Sequence, residues 1–327
     1  MDVDVLLVSL GFTAGLRAVD AELEASMRRA GAAVAVARAG PVPEVRTFAL
    51  TDFVQARSAR RAAIEALRAQ RPRAIVYSTT TASLLWPAPG AIRFDVSAAE
   101  NRPGRHGAWQ RPLERRRFAR APLLIGLSEG GLAAAPQPHA PAVIVPMPVE
   151  PSGPLEPVRD LAAVTYAADA DKKGLAAVLE AWERVRRPGE TLTVAGRAGD
   201  RAPDGVRFAG LLDPAGFRAL LRRARVYVTA PRREDYGLSQ LEALADGCRL
   251  VTTPAPGPYA ALPIARALDP RMVDDDLASA LRAGLDADDD AYARRAAELL
   301  SPFRREAVDA VVADELLPRL LAAERRG

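Results

Sequence analysis

Continuous apolar runs alternate with segments of helical period along the whole chain. Val3–Leu10 reads as a buried strand, and Leu16–Ala30 as an amphipathic helix with Leu16, Val19, Leu23 and Met27 on one face. Further strands are expected at Ala33–Ala37, Ala74–Tyr77, Ile92–Val96, Leu123–Leu127 and Ala142–Val145. Helices are expected at Asp52–Gln70 and Leu113–Arg120, and Ser78-Thr79-Thr80-Thr81 reads as a polar turn. Strands that are apolar throughout and separated by helices predict parallel sheets covered on both faces, an α/β architecture.

Pro146–Pro154 places four prolines in nine residues and reads as a linker. The pattern then restarts with strands at Leu161–Tyr166, Thr191–Ala195, Val206–Ala209, Val226–Thr229 and Leu250–Thr253. Helices are expected at Gly174–Val185, Pro214–Arg223, Leu238–Ala245, Asp290–Leu299 and Glu306–Ala323. Two domains follow, 1–150 and 151–304, with a terminal helical segment at 305–327. Val308, Val311, Val312, Leu316, Leu317, Leu320 and Leu321 form an apolar stripe on that segment.

Composition narrows the chemistry. The 327 residues are 49% hydrophobic and 26% charged, which excludes a disordered chain. One cysteine, Cys248, rules out an intramolecular disulfide, and with only His106 and His139 a histidine-built metal centre is not expected. No apolar run approaches the roughly 18 residues of a membrane span. The start carries Asp2 and Asp4 where a secretory signal would carry positive charge, so a cytoplasmic protein is expected. Of 45 basic residues only Lys172 and Lys173 are lysines, which singles out that pair. Arg102, Arg105, Arg111, Arg115, Arg116, Arg117 and Arg120 cluster in nineteen residues, either as a solvated face or as a basic surface for an anionic membrane. With only Trp109 and Phe118 there for stacking, a nucleic-acid partner is not expected.

The segment from Val226 to Gly247 carries the most chemistry. A buried strand ends in a polar loop, Gly237 follows, and a helix begins at Leu238. Such a turn aims the N–H groups of Gly237, Leu238 and Ser239 at the crevice beyond the strand, where α/β proteins bind phosphates. Glu234 precedes the helix and Glu242 lies about one turn inside it. Carboxylates repel phosphates, so this pair would read hydroxyls, one on a sugar and one on a ribose. Either acid could instead simply complement the positive helix end.

The segment resembles the donor-site signature of the retaining glycosyltransferases of the GT-B fold, the family 4-like, group 1 enzymes. That signature sets two glutamates with seven residues between them around an aromatic-glycine pair, and here Glu234, Tyr236-Gly237-Leu238 and Leu241-Glu242-Ala243-Leu244-Ala245-Asp246-Gly247 match it. Val206-Arg207-Phe208-Ala209-Gly210 and Asp171-Lys172-Lys173-Gly174 match two upstream motifs. The resemblance covers about residues 161–260. It implies two Rossmann-like domains with parallel sheets facing a central cleft. It also implies sugar transfer from a nucleotide-diphosphate sugar to an acceptor hydroxyl, with retention of anomeric configuration, no metal and no cofactor beyond the donor substrate.

By resemblance, Glu234 touches the transferred sugar, Glu242 the ribose, and Lys173 neutralises the leaving diphosphate. Tyr236, Gly237, Leu238 and Ser239 would line the donor site with Gly11, from the loop Gly11-Phe12-Thr13-Ala14-Gly15 after the first strand. Asp95 stands where the family has a His or Asp near the transferred sugar, and reads equally well as a surface acid or helix cap. Ser128-Glu129 reads as a helix start. The family's Gly-Arg phosphate clamp is absent from Thr165-Tyr166-Ala167-Ala168-Asp169, which leaves Lys172 or Arg197 to compensate. If neither does, the alternative is a catalytically silent GT-B module that binds a nucleotide or a partner transferase. An oxidoreductase would need a Gly-x-Gly-x-x-Gly after a strand, and none is present.

Overall fold

The computed structural model describes residues 3–322 except 44, 46, 157, 200, 201, 289 and 290. Met1, Asp2, Asp290 and Ala323 therefore lie outside the described residues. The chain divides into two compact units, residues 1–147 with 305–327, and residues 148–304.

The first unit is built on strands β1 (Val3–Ser9), β2 (Val34–Arg38), β3 (Pro72–Tyr77), β4 (Ala91–Phe94), β5 (Leu124–Gly126) and β6 (Ala142–Ile144). They pair in parallel in the order β2-β1-β3-β4-β5-β6. Its helices are α1 (Ala14–Arg29), α2 (Phe48–Ala69), α3 (Thr80–Leu84), α4 (Ala98–Asn101), α5 (Gln110–Arg120) and α6 (Glu129–Ala133). Hydroxyl caps set several starts. Thr13, Thr47, Thr79 and Ser128 each accept an N–H from the first turn of the helix that follows. Two of these caps correct the sequence expectations: α2 starts at Phe48 rather than Asp52, and Thr80 and Thr81 open a helix rather than ending in a turn.

The second unit holds β7 (Leu161–Tyr166), β8 (Leu192–Ala195), β9 (Val206–Gly210), β10 (Ala224–Thr229) and β11 (Arg249–Thr252), parallel in the order β11-β10-β7-β8-β9. Its helices are α7 (Leu175–Val185), α8 (Pro214–Arg223), α9 (Leu238–Ala245), α10 (Ala261–Leu268), α11 (Leu277–Asp286) and α12 (Tyr292–Leu299). Helices α10 and α11 were not expected. Pro263 stands in the first turn of α10, where a missing N–H costs nothing.

The chain then returns to the first unit as α13 (Arg305–Val311), a π-helical turn Val312–Leu316, and α14 (Leu317–Ala322). Val308, Val312, Leu316, Leu317 and Leu320 are buried in one cluster with Val5, Leu7, Leu23, Met27 and Ile125. The apolar stripe thus covers a face of the first sheet. Asp309 fixes its position, accepting from Ser26 Oγ at 2.5 Å and from Arg29 at 2.6 and 2.8 Å. Among the described residues no helix is long and apolar enough to cross a membrane.

One buried acid ties the short helix α4 to α5. Both carboxylate oxygens of Glu114, a residue only 1% exposed, accept the Ala98 N–H at 2.9 Å. Burial pushes its carboxyl up to about 7, opposed by that hydrogen bond and by Arg102.

Two tests follow from this packing. Leu316→Ala should lower the unfolding free energy by about 2–5 kcal/mol, read by urea denaturation, because the side chain is fully buried. An unchanged midpoint would show that the terminal segment is not part of the core. Glu114 binds its proton more tightly folded than unfolded, so its contribution is complete below about pH 4.5 and is lost as pH rises through about 7. A shift of that size is worth about 3 kcal/mol. Glu114→Gln should therefore flatten the pH dependence of stability in that window, and an identical wild-type and variant profile would remove Glu114 as its source.

Candidate functional site

Strands β7 and β10 lie side by side in parallel, yet the chain leaves β7 towards β8 and β10 towards β11, on opposite sides. The loops after the two strands diverge and open a crevice at their carboxyl ends, where α/β sheets bind ligands. The loop after β7 closes on Gly174, whose φ is +67°. A Cβ there would lie 1.8 Å from the carbonyl oxygen of Ala230, at the end of β10, so only glycine fits. This approach brings the preceding residue, Lys173, across the crevice, and its Nζ stands 2.6 Å from Glu234 Oε2. Both side chains are largely shielded from water, at 18% and 9% exposure. The loops are clasped again where the Arg232 N–H donates to the Lys172 carbonyl at 3.1 Å and its guanidinium meets Asp171 at 2.6 Å.

Glu234 is also held from behind. Its N–H donates to the Pro256 carbonyl at 3.0 Å, and Gly257, with φ +119°, packs so that a Cβ would lie 2.1 Å from the Glu234 carbonyl oxygen. Tyr236 is buried and its carbonyl accepts the Ala260 N–H at 3.1 Å. Gly237 precedes α9, and no side chain caps that helix, so its first N–H groups, at Leu238 and Ser239, face outward from the helix end. The Tyr227 hydroxyl reaches from β10 to Ser239 Oγ at 3.1 Å and fixes it.

Glu242 sits on α9 opposite Arg218 of α8, with 3.6 Å between Nη1 and Oε1. Burial pushes its carboxyl above the usual carboxylate range, with Arg218 opposing and Asp246 adding to the rise. Arg218 carries no sequence signal, being one arginine among many. Its Nε and Nη2 donate to Asp246 at 2.6 and 3.0 Å, and Nη2 also donates to the Glu150 carbonyl at 2.6 Å. Asp246 additionally accepts from Ser152 N and Oγ at 2.7 and 3.0 Å.

The second unit thus brings together Lys173, Glu234, Tyr236, Gly237, Leu238 and Ser239, with Glu242 one turn further along α9. It does not bring Lys172 or Arg197 to the ion pair. Both side chains are exposed, and neither forms an ion pair among the described residues; Arg197 instead forms a backbone bridge to Gly210. Gly11 and Asp95 belong to the first unit. Gly11 adopts φ +58° and its carbonyl accepts from Arg17 at 2.9 Å. Asp95 follows β4, accepts the Val96 N–H at 2.8 Å and lines a cavity of that unit. In the arginine cluster, Arg102 pairs with Asp52, Arg111 donates to two carbonyls, and Arg117 lies 4.6 Å over the Trp86 ring.

Residues 161–300 match the family model described as glycosyl transferases group 1. A glycogen synthase of Mycobacterium tuberculosis is 38% identical over 95 residues, covering 25% of this chain and 23% of the relative, so less than a quarter of that enzyme is spanned. The whole chain is similar in structure to a sucrose-phosphate synthase from Thermosynechococcus elongatus, at 15% identity and TM-score 0.66, covering 99% of this chain and 100% of the other. It is also similar to an α,α-trehalose 6-phosphate synthase from Burkholderia multivorans, at 12% identity and TM-score 0.68, with 100% of each covered. The chain therefore has the GT-B fold, with residues 161–300 similar to the glycosyl transferases group 1 family.

Proposed function

We propose that this protein transfers a sugar from a nucleotide-diphosphate sugar to an acceptor hydroxyl, with retention at the anomeric carbon. The observation that carries the reading is the Lys173–Glu234 pair at the switch point of the second sheet. A diphosphate brings more negative charge than the one carboxylate it would displace, so Lys173 would turn from Glu234 to the leaving group as charge builds there. Glu234, released beside the sugar, then accepts its hydroxyls, and Glu242 those of the ribose. Lys173 supplies the fixed positive charge that a metal would otherwise supply, which supports metal-independent transfer. Any membrane contact through residues 102–120 falls to Arg105, Arg115, Arg116 and Arg120, whose side chains are exposed.

The second reading is a nucleotide-binding module without turnover. It is favoured by Ala167 and Ala168 standing where the clamp arginine is expected, with Lys172 and Arg197 turned to solvent. Turnover separates the two. Lys173→Ala should reduce transfer or donor hydrolysis by about 10²–10³-fold, and a wild-type protein with no turnover on any nucleotide-sugar would establish the module instead. Product anomeric configuration, read by NMR, tests retention directly.

The carboxylates separate by binding. Glu242→Ala should weaken nucleoside-diphosphate binding by about 1–3 kcal/mol, measured by calorimetry. Glu234→Ala frees Lys173, so diphosphate binding should hold or tighten while transfer falls. If neither substitution changes binding or transfer, the two acids only decorate a helix end.

A further inference from the structure

Different helix layers cover the two faces of the first sheet. Ala59 and Ala63 of α2 and Phe118 of α5 pack with Leu6, Tyr77 and Ile92 on one face. Leu23 and Met27 of α1 and the terminal helices pack with Val5, Leu7 and Ile125 on the other. The arginines of the two layers differ in their partners. On the α1 and terminal layer Arg28 pairs with Glu24 at 2.6 Å, Arg29 with Asp309 at 2.6 Å, Arg319 with Glu315 at 2.8 Å, and Arg305 with Glu22. On the other layer Arg57, Arg61 and Arg68 of α2 and Arg115, Arg116 and Arg120 of α5 are exposed, and they form no ion pair among the described residues.

Helical spacing creates this surface. Ala56, Ala59 and Ala63 of α2 are fully buried, which turns Leu50, Phe53, Arg57, Arg61 and Arg68 outward as one stripe. At about 1.5 Å per residue the helix carries that stripe for roughly 30 Å. Residues 48–120 hold fourteen arginines against five acids, although the whole chain is only +4. Of the acids on α2 and α5, Asp52 and Glu114 are buried, and Glu65 is exposed.

The two helices act as one face, because α3 packs between them. Arg60 of α2 donates to the Leu85 and Trp86 carbonyls at 2.9 and 3.2 Å. Arg117 of α5 donates to the Leu84 carbonyl at 3.0 Å, with its guanidinium over the Trp86 ring. Burial, and then the charges of Arg116, Arg120 and Arg60, hold the Arg117 guanidinium below its usual range. Like charges gathered without counter-charges repel, and an anionic surface would relieve that field.

The apolar side chains decide between anionic partners. At the start of α2, Leu50 is 48% and Phe53 41% exposed. Trp109 stands edge-on to Phe53 at 6.0 Å, and its Nε1 donates to the Ala49 carbonyl at 3.3 Å. A nucleic-acid backbone would neutralise the arginines but leave Leu50 in water. A bilayer takes both, with lipid phosphates against the guanidiniums and the apolar side chains at the acyl boundary.

We infer that the outer face of the α2 and α5 layer docks on an anionic phospholipid membrane, with Leu50 and Phe53 inserted beneath the headgroups. Such docking requires nothing of the donor crevice. The test is flotation of the full chain with vesicles of phosphatidylcholine alone, or of phosphatidylcholine with about 40% phosphatidylglycerol. The anionic vesicles should bind at least about tenfold more tightly at about 50 mM salt, and the preference should shrink as salt rises to about 500 mM. The triple variant Arg57→Gln, Arg61→Gln, Arg116→Gln should weaken this binding by about tenfold, and its exposed sites leave the core intact. Phe53→Ser should weaken it several-fold, whereas Arg319→Gln on the opposite layer should not change it. Equal binding to neutral vesicles, no binding to anionic ones by about 1 mM lipid, or wild-type binding by the folded triple variant or by Phe53→Ser would overturn the assignment. Binding of a single-stranded oligonucleotide without vesicle binding would overturn it too, and would make the face a nucleic-acid surface.

Discussion

The approach of Gly174 to the carbonyl of Ala230 is the constraint on which the candidate site depends. At that distance a methyl group would overlap the oxygen, so any other residue must push the loop after β7 away from the end of β10. Lys173 would move with it, and the 2.6 Å pair with Glu234 would open. The Arg232–Asp171 contact and the Arg232 N–H bond to Lys172 brace the same two loops, but on the solvent side, where ion pairs contribute little. The backbone contact sets the geometry, and the charges use it.

The charges themselves are arranged in pairs. Glu234 is balanced by Lys173 at 2.6 Å, and Glu242 more loosely by Arg218 at 3.6 Å. Glu234 therefore has its own cation, whereas Glu242 shares Arg218 with the buried Asp246. Under the proposed function, a diphosphate would change that balance by competing for Lys173 and leaving Glu234 as an acceptor. One ion pair can in this way couple leaving-group stabilisation to sugar recognition, without a histidine relay.

Much of this was legible in the sequence, and for identifiable reasons. Strands buried on both faces, such as Val3–Ser9 and Leu161–Tyr166, write themselves as predominantly apolar runs, and the glutamate spacing survives because one loop and one helix turn carry it. The role proposed for Lys173 rests on the family resemblance and on the scarcity of lysine. Other features had no local signature. Arg218 matters through a partner 28 residues away, and nothing near it in sequence marks it. Gly257 is required by a backbone it meets only in three dimensions. Thr79 caps a five-residue helix too short for periodicity to reveal.

Arg218 also shows why one arginine in this chain differs from most of the others. Its guanidinium meets Asp246 through two nitrogens, the Glu150 carbonyl through one of the same nitrogens, and Glu242 through the third. Asp246, 1% exposed, is in turn tied to Ser152 of the proline-rich segment by two hydrogen bonds. A lysine presents its donors from a single nitrogen and cannot span a carboxylate, a carbonyl and a second carboxylate at once, whereas the planar fork of arginine can. The exposed arginines at 115 and 116 form no ion pair among the described residues. Where the chain's bias towards arginine is only compositional, nothing in the fold depends on it; at Arg218 the anchoring of the linker segment and the electrostatics of Glu242 share one guanidinium.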